Sequence, residues 1–174
     1  MNTANKLTLM RIMLIPVFLI VLYADFTGSS YVALAIFILA SLTDMADGYI
    51  ARHHNQVTDF GKFMDPLADK MLVLTAMLWF VSTGRIPAWA VAIVIFREFA
   101  VSGMRLIAAE GGRVIAAAWS GKIKTACTMV GLCLMFLPIP AVLDKVIVAV
   151  IVVTTVYSGI EYFVKNKDIL PKDM

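Results

Sequence analysis

Apolar and polar positions along this chain fall in long blocks, not in the short alternation of a soluble sheet or the one-sided stripe of a surface helix. Six apolar runs lie at Leu7–Ala24, Tyr31–Arg52, Asp65–Val81, Pro87–Ala109, Ser120–Leu137 and Ala141–Val164. Each approaches the roughly 20 residues that carry a helix across a bilayer. The runs are parted by turn formers: Asp25 to Ser30, Thr83 to Pro87, Gly111-Gly112, and Pro138-Ile139-Pro140. The polar stretch from His53 to Phe60 predicts a tight loop that returns the third helix antiparallel to the second. Pro66 is expected in the first turn of that third helix, and Pro16 predicts a kink within the first. No internal repeat or low-complexity stretch interrupts the pattern. The first run is too long for a removed signal peptide and has no good cleavage site after it. The expected fold is all-α: a polytopic membrane protein in which residues 1–174 form one domain, a bundle of six transmembrane helices.

Composition agrees with a lipid solvent. Of 174 residues, 61% are hydrophobic and 16% charged, with a mean hydropathy of +0.88. A soluble domain of this size could not bury so much apolar surface. Charge then supplies the topology. Every one of the 15 Lys and Arg residues except Arg85 and Lys145 falls on one side of the six-span arrangement. The positive-inside rule therefore puts both termini on the cytoplasmic face of the cell membrane, with the acidic cluster described next. The net charge of +3 suits anionic headgroups. It does not indicate nucleic-acid binding, because no exposed basic face with interleaved aromatics accompanies it. Cys127 and Cys133 lie six apart on one helix, about 240° of rotation, too far round to pair or share a metal.

The chemistry concentrates in one ladder of fixed spacing: Asp44-x-x-Asp47-Gly48-x-x-Ala51-Arg52, then Gly61, Asp65 and Asp69 at four-residue steps. Asp44 and Asp47 are i,i+3 and Asp65 and Asp69 are i,i+4, so each pair projects from one face of its helix. Lone carboxylates beside lipid are costly, and four together need cations to stay ionised. Two such faces make an all-oxygen cage suited to Mg²⁺ or Mn²⁺ bound with a diphosphate. Gly48 and Ala51 strip bulk from the acidic face, Gly61 does so on the facing helix, and Arg52 is placed to clamp a phosphate oxygen. The competing explanation, ordinary acidic helix ends, fits a bare D-x-x-D but not eight positions at fixed spacing. His53 and His54 are neighbours on a loop and are expected to be solvated.

This ladder resembles the signature of the CDP-alcohol phosphotransferase family, D-x2-D-G-x2-A-R-x8-G-x3-D-x3-D, at every fixed position. The resemblance implies two divalent ions held by Asp44, Asp47, Asp65 and Asp69, with Asp69 the general base on the acceptor hydroxyl. It also implies that Gly48, Ala51, Arg52 and Gly61 cradle the CDP group, and that the protein is a six-helix membrane homodimer. Three further segments are similar to bacterial members of the family that use glycerol-3-phosphate: Asn5 to Ile12, Arg97 to Arg105, and Val114 to Ala117 with Gly121 to Thr125.

Those segments also make physical sense. Glu98, Ser102 and Arg105 share one face of the fourth helix, and Gly121, Lys124 and Thr125 one face of the fifth. Arg105, Arg113 and Lys124 could converge on the phosphate of a small acidic acceptor, with Glu98 orienting one of them, while Lys122 meets headgroups. The plainer explanation for the three cations is positive-inside flanking. The expected reaction transfers the phosphatidyl group of CDP-diacylglycerol to sn-glycerol-3-phosphate with release of CMP. It is a direct displacement, since no Ser, Cys or His is placed as a covalent nucleophile. The alternatives are the same chemistry on inositol phosphate, serine or phosphatidylglycerol, a prenyltransferase, and a small cation carrier.

Overall fold

The six apolar runs fold as six α-helices, and no strand occurs among the described residues. A computed structural model describes the backbone of residues 3–24, 26–53, 59–113, 115–116 and 118–169, and the side chains of these apart from residues 3–8, 44–53, 59–66 and 69. In chain order the helices are α1 Thr3–Tyr23, α2 Ser29–His53, α3 Asp59–Ser82, α4 Ala88–Glu110, α5 Trp119–Met135 and α6 Ala141–Lys165. A 3₁₀ turn, Lys167–Ile169, follows α6. The predicted breaks hold. Pro87 and Pro140 cap α4 and α6 with φ of −72° and −66°, the value the pyrrolidine ring imposes. Gly84 and Gly112 take φ of +73° and +71°, which a residue with a Cβ resists.

One boundary differs. α3 begins at Asp59, six residues before the expected Asp65, so Pro66 lies inside the helix and not in its first turn. An acidic residue suits a helix start, and Lys62 and Met64 in the next turn are good helix formers. The proline was the misleading marker: the helix runs on both sides of it. α1 likewise continues through Pro16. The loop expected at His53 to Phe60 lies mainly outside the described residues.

Among the described residues, α6 is the one helix long and apolar enough to cross a membrane by itself. The apolar stretches Leu9–Tyr23, Ser29–Thr43 and Lys70–Ser82 are shorter. Large apolar side chains nonetheless cover its outer surface, among them Ile20, Leu39, Phe96, Phe99, Val153 and Ile160. In water such a surface would drive aggregation.

The chain groups into two compact units. The first comprises Met1–Trp79 with Cys133–Pro138. Within it α1 packs along α2. Four rings fill its centre: Phe136 meets Phe18 edge-on at 5.9 Å, Phe37 at 5.9 Å and Trp79 in a stack at 6.0 Å, and Phe18 touches Phe37 at 6.1 Å. These separations are those of favourable aromatic pairs.

The second unit comprises Phe80–Leu132 with Ile139–Met174, and in it α4 packs on α6. Gly131 lets α5 approach α6 closely, since a Cβ there would stand 2.7 Å from Ile147 Cγ2. At the start of α6 Asp144 is gripped by Arg85, with Nε to Oδ2 at 2.9 Å and Nη2 to Oδ1 at 2.7 Å. The same guanidinium lies 5.2 Å over the Phe80 ring.

Candidate active site

In the first unit, the acidic ladder rests on helical backbone throughout. Asp44, Asp47, Gly48, Ala51 and Arg52 lie on α2, and Gly61, Asp65 and Asp69 on α3. The helical backbone keeps the i,i+3 and i,i+4 steps on which the expected faces depend, and the earlier start of α3 puts Gly61 on that helix one turn before Asp65. The side chains of these eight residues lie outside the described ones. The turn of α2 that leads into Asp44 is described, and it is tightly held. Arg11, fully buried on α1, donates from Nε to the Ala40 carbonyl at 3.3 Å. Thr43 donates to that same carbonyl at 2.7 Å, and Ser41 to the Phe37 carbonyl at 2.7 Å. Charge-assisted donation into a helix backbone fixes α1 to α2 just where the carboxylates begin. The positive-inside pattern counted Arg11 as a flanking charge, and it is instead an interior strut.

In the second unit, the structure places the three expected acceptor cations as follows. Lys124 is buried on α5 and its Nζ lies 2.5 Å from Glu98 Oε1, so Glu98 orients a cation as expected. Arg105 donates from Nε to the Tyr162 hydroxyl at 3.2 Å, and its Cζ lies 5.6 Å from that ring's centre. Tyr162 is itself packed with Val101 and Met104. Arg113 pairs with Asp168 in the 3₁₀ turn, and this guanidinium holds the Asp168 carboxyl below the usual carboxylate range. Each cation thus has its own partner, and two of the three partners come from the C-terminal stretch of the chain. Lys122 projects elsewhere, 5.2 Å over the Trp119 ring. Among the described residues no group of three or more His, Cys, Asp or Glu could hold a metal ion.

Sequence reasoning passed over three participants. Arg97 donates from Nη1 to Glu98 Oε1 at 3.1 Å, the oxygen that also meets Lys124. Tyr162 and Asp168 hold Arg105 and Arg113. Adjacent helical positions do not ordinarily face each other, so spacing alone hides an Arg97–Glu98 contact. A membrane-depth arginine beside a glutamate was the available signal.

An all-helical chain that carries a ladder of aspartates with glycines at helical steps, and a set of partnered cations of which Lys124 is buried, has the parts of an enzyme for phosphate esters. Comparison with known proteins gives the class. The sequence model of the CDP-alcohol phosphatidyltransferase family matches residues 1–157. The chain belongs to that family. It is 45% identical over 97% of both chains to a Bacillus subtilis protein named CDP-diacylglycerol--glycerol-3-phosphate 3-phosphatidyltransferase. It is 43% identical to the Escherichia coli protein of the same name, over 75% of this chain and 74% of that one. A Mycobacterium tuberculosis protein named as a probable phosphatidylglycerophosphate synthase is 38% identical over 92% of this chain and 79% of its own.

Proposed function

We propose that this chain is a divalent-metal-dependent phosphatidyltransferase that moves the phosphatidyl group of CDP-diacylglycerol onto sn-glycerol-3-phosphate and releases CMP. The observation that carries this reading is the family match over residues 1–157, which spans both the complete aspartate ladder and Arg105, Arg113 and Lys124. The Bacillus subtilis and Escherichia coli relatives carry that acceptor in their names, which favours glycerol-3-phosphate over inositol phosphate, serine or phosphatidylglycerol.

The donor set of Asp44, Asp47, Asp65 and Asp69 is all oxygen and fits two Mg²⁺ or Mn²⁺ ions. Bound there, the ions would neutralise the diphosphate and the charge that grows on the departing CMP. Asp69 takes the proton from the acceptor hydroxyl as its oxygen bonds to the phosphorus that carries diacylglycerol, while the bond from that phosphorus to CMP breaks. Arg52 clamps a diphosphate oxygen, and Gly48, Ala51 and Gly61 leave room for the CDP group. Arg105, Arg113 and Lys124 receive the acceptor phosphate. Placement in the cell membrane as a six-span homodimer, with both termini and the site cytoplasmic, follows from the charge asymmetry and the family resemblance. It suits a donor whose acyl tails stay in lipid while its head and the acceptor come from water.

The test is CMP release by the purified protein in mixed micelles from labelled CDP-diacylglycerol, offered each of the four acceptors. Turnover is expected with glycerol-3-phosphate. Turnover only with another alcohol would overturn the acceptor assignment. Cation flux in vesicles without CMP release from any acceptor would overturn the enzyme.

A further inference from the structure

We infer that Arg97 is a positioning residue for the acceptor phosphate, and that it acts by sharing the Glu98 carboxylate so that Lys124 keeps its charge for substrate. This rests on the reading of Lys124 as an acceptor-phosphate ligand. Three observations carry it.

The first is the path of the Arg97 side chain. It leaves α4 between glycines of two other helices. A Cβ on Gly159 of α6 would stand 3.3 Å from its Cγ, and one on Gly121 of α5 would stand 3.5 Å from its Nη2. A Cβ at Gly159 would press on the arginine stem, while one at Gly121 would reach ordinary contact with its tip, so the side chain's lane runs close past both helices.

The second is the shared oxygen. Glu98 Oε1 accepts from Arg97 Nη1 at 3.1 Å and from Lys124 Nζ at 2.5 Å. All three side chains are largely buried, with 13%, 16% and 7% of Arg97, Glu98 and Lys124 exposed. A lysine paired alone with a buried carboxylate forms a neutral pair with little left to attract a phosphate. Two cations on one carboxylate leave one positive charge over, and Lys124 retains two N–H donors beyond the one that Glu98 takes. The flexible lysine stem is also fixed before substrate arrives, which removes an ordering cost from binding.

The third is the unmet donor of Arg97. Its Nε is buried with no hydrogen-bond partner among the described residues. A buried donor left unpaired disfavours the fold, so stability alone does not account for an arginine here. Gly121 and Lys124 stand three residues apart on α5, and that turn brings the Arg97 lane and the lysine to the same carboxylate.

The test is steady-state kinetics of the purified full chain with CDP-diacylglycerol and glycerol-3-phosphate varied separately. Lys124→Ala is the reference: if it leaves the acceptor KM unchanged, the acceptor reading fails and this inference fails with it. Given a rise in that variant, Arg97→Gln is expected to raise the acceptor KM about tenfold, the effect of losing one charge-assisted contact. The KM for CDP-diacylglycerol should move less than twofold. Adding Glu98→Gln to Arg97→Gln should then restore the acceptor KM, because the glutamine amide still accepts from Lys124 without cancelling its charge. Additive loss in the double variant, or an equal rise in both KM values, would overturn the inference and leave the acceptor reading standing. Should Arg97→Gln not fold, Glu98→Gln alone decides. No rise in its acceptor KM supports the shared carboxylate, and a rise matching Lys124→Ala refutes it.

Discussion

Arg85→Met offers the sharpest test of how the second unit is held. Asp144 keeps 9% of its side chain exposed and Arg85 27%, and two short hydrogen bonds join them in a fork. Removing one partner of a buried ion pair costs about 3–5 kcal/mol, chiefly because the other charge is left without compensation. Two features reduce that figure here. Asp144 lies in the first turn of α6, where the helix dipole returns about 0.3–1 kcal/mol, and the partly exposed arginine position lets water reach the carboxylate. Loss of the cation–π contact with Phe80 restores a further ~0.5 kcal/mol to the cost. The expected destabilisation is about 2–3 kcal/mol, or a fall in Tm of about 5–10 °C for a chain this long. Thermal unfolding in detergent, followed by intrinsic fluorescence, measures it. The double variant Arg85→Met/Asp144→Leu should recover most of the loss, because an apolar pair of similar volume replaces a buried salt bridge at little cost. A single variant that melts with the parent, or a double variant that sums two losses, would refute this reasoning.

Four further outcomes are expected. Asp69→Asn should lower kcat about 10²- to 10⁴-fold while the protein still binds CDP-diacylglycerol in the presence of Mg²⁺, and normal turnover would remove the base assignment. Chelation should abolish CMP release, with Mg²⁺ or Mn²⁺ restoring it; turnover that survives exhaustive chelation would remove the metal. Gly131→Leu should destabilise the α5–α6 packing by about 1–3 kcal/mol in the same melting assay, since the stiff Ile147 side chain already stands where a Cβ would go. Arg113 depresses the Asp168 carboxyl, so that pair's contribution is present above the ordinary pKa of about 3.9 and is lost only as pH falls through the lower folded value. The Tm difference between the parent and Asp168→Asn should therefore be the same at pH 6 and pH 8.

The helices were legible because apolar run length and turn formers are local signals. Pro87, Gly111-Gly112 and Pro138 to Pro140 marked ends that the backbone keeps. The start of α3 was not legible. Pro66 is a strong local marker of a first turn, and α3 nonetheless runs through it. Glu98 to Lys124 was within reach, because an acid at that depth demands a cation. The partners of Arg105 and Arg113 were not. Tyr162 and Asp168 follow them by 57 and 55 residues, a separation that no periodicity spans. Arg11 shows a further limit. A charge near a helix end satisfies the positive-inside rule whether it faces water or, as here, reaches a neighbouring carbonyl.

Phe136 sets an order for synthesis. Its ring joins Phe18, Phe37 and Trp79, all made at least 57 residues earlier. The first unit therefore waits, with its aromatic centre unfilled, until the ribosome has passed the end of α5. A fragment stopped after Trp79 would keep every residue of the aspartate ladder yet lack the ring that plugs its interior. Dissecting this enzyme into halves at that point would separate the ladder from its keystone.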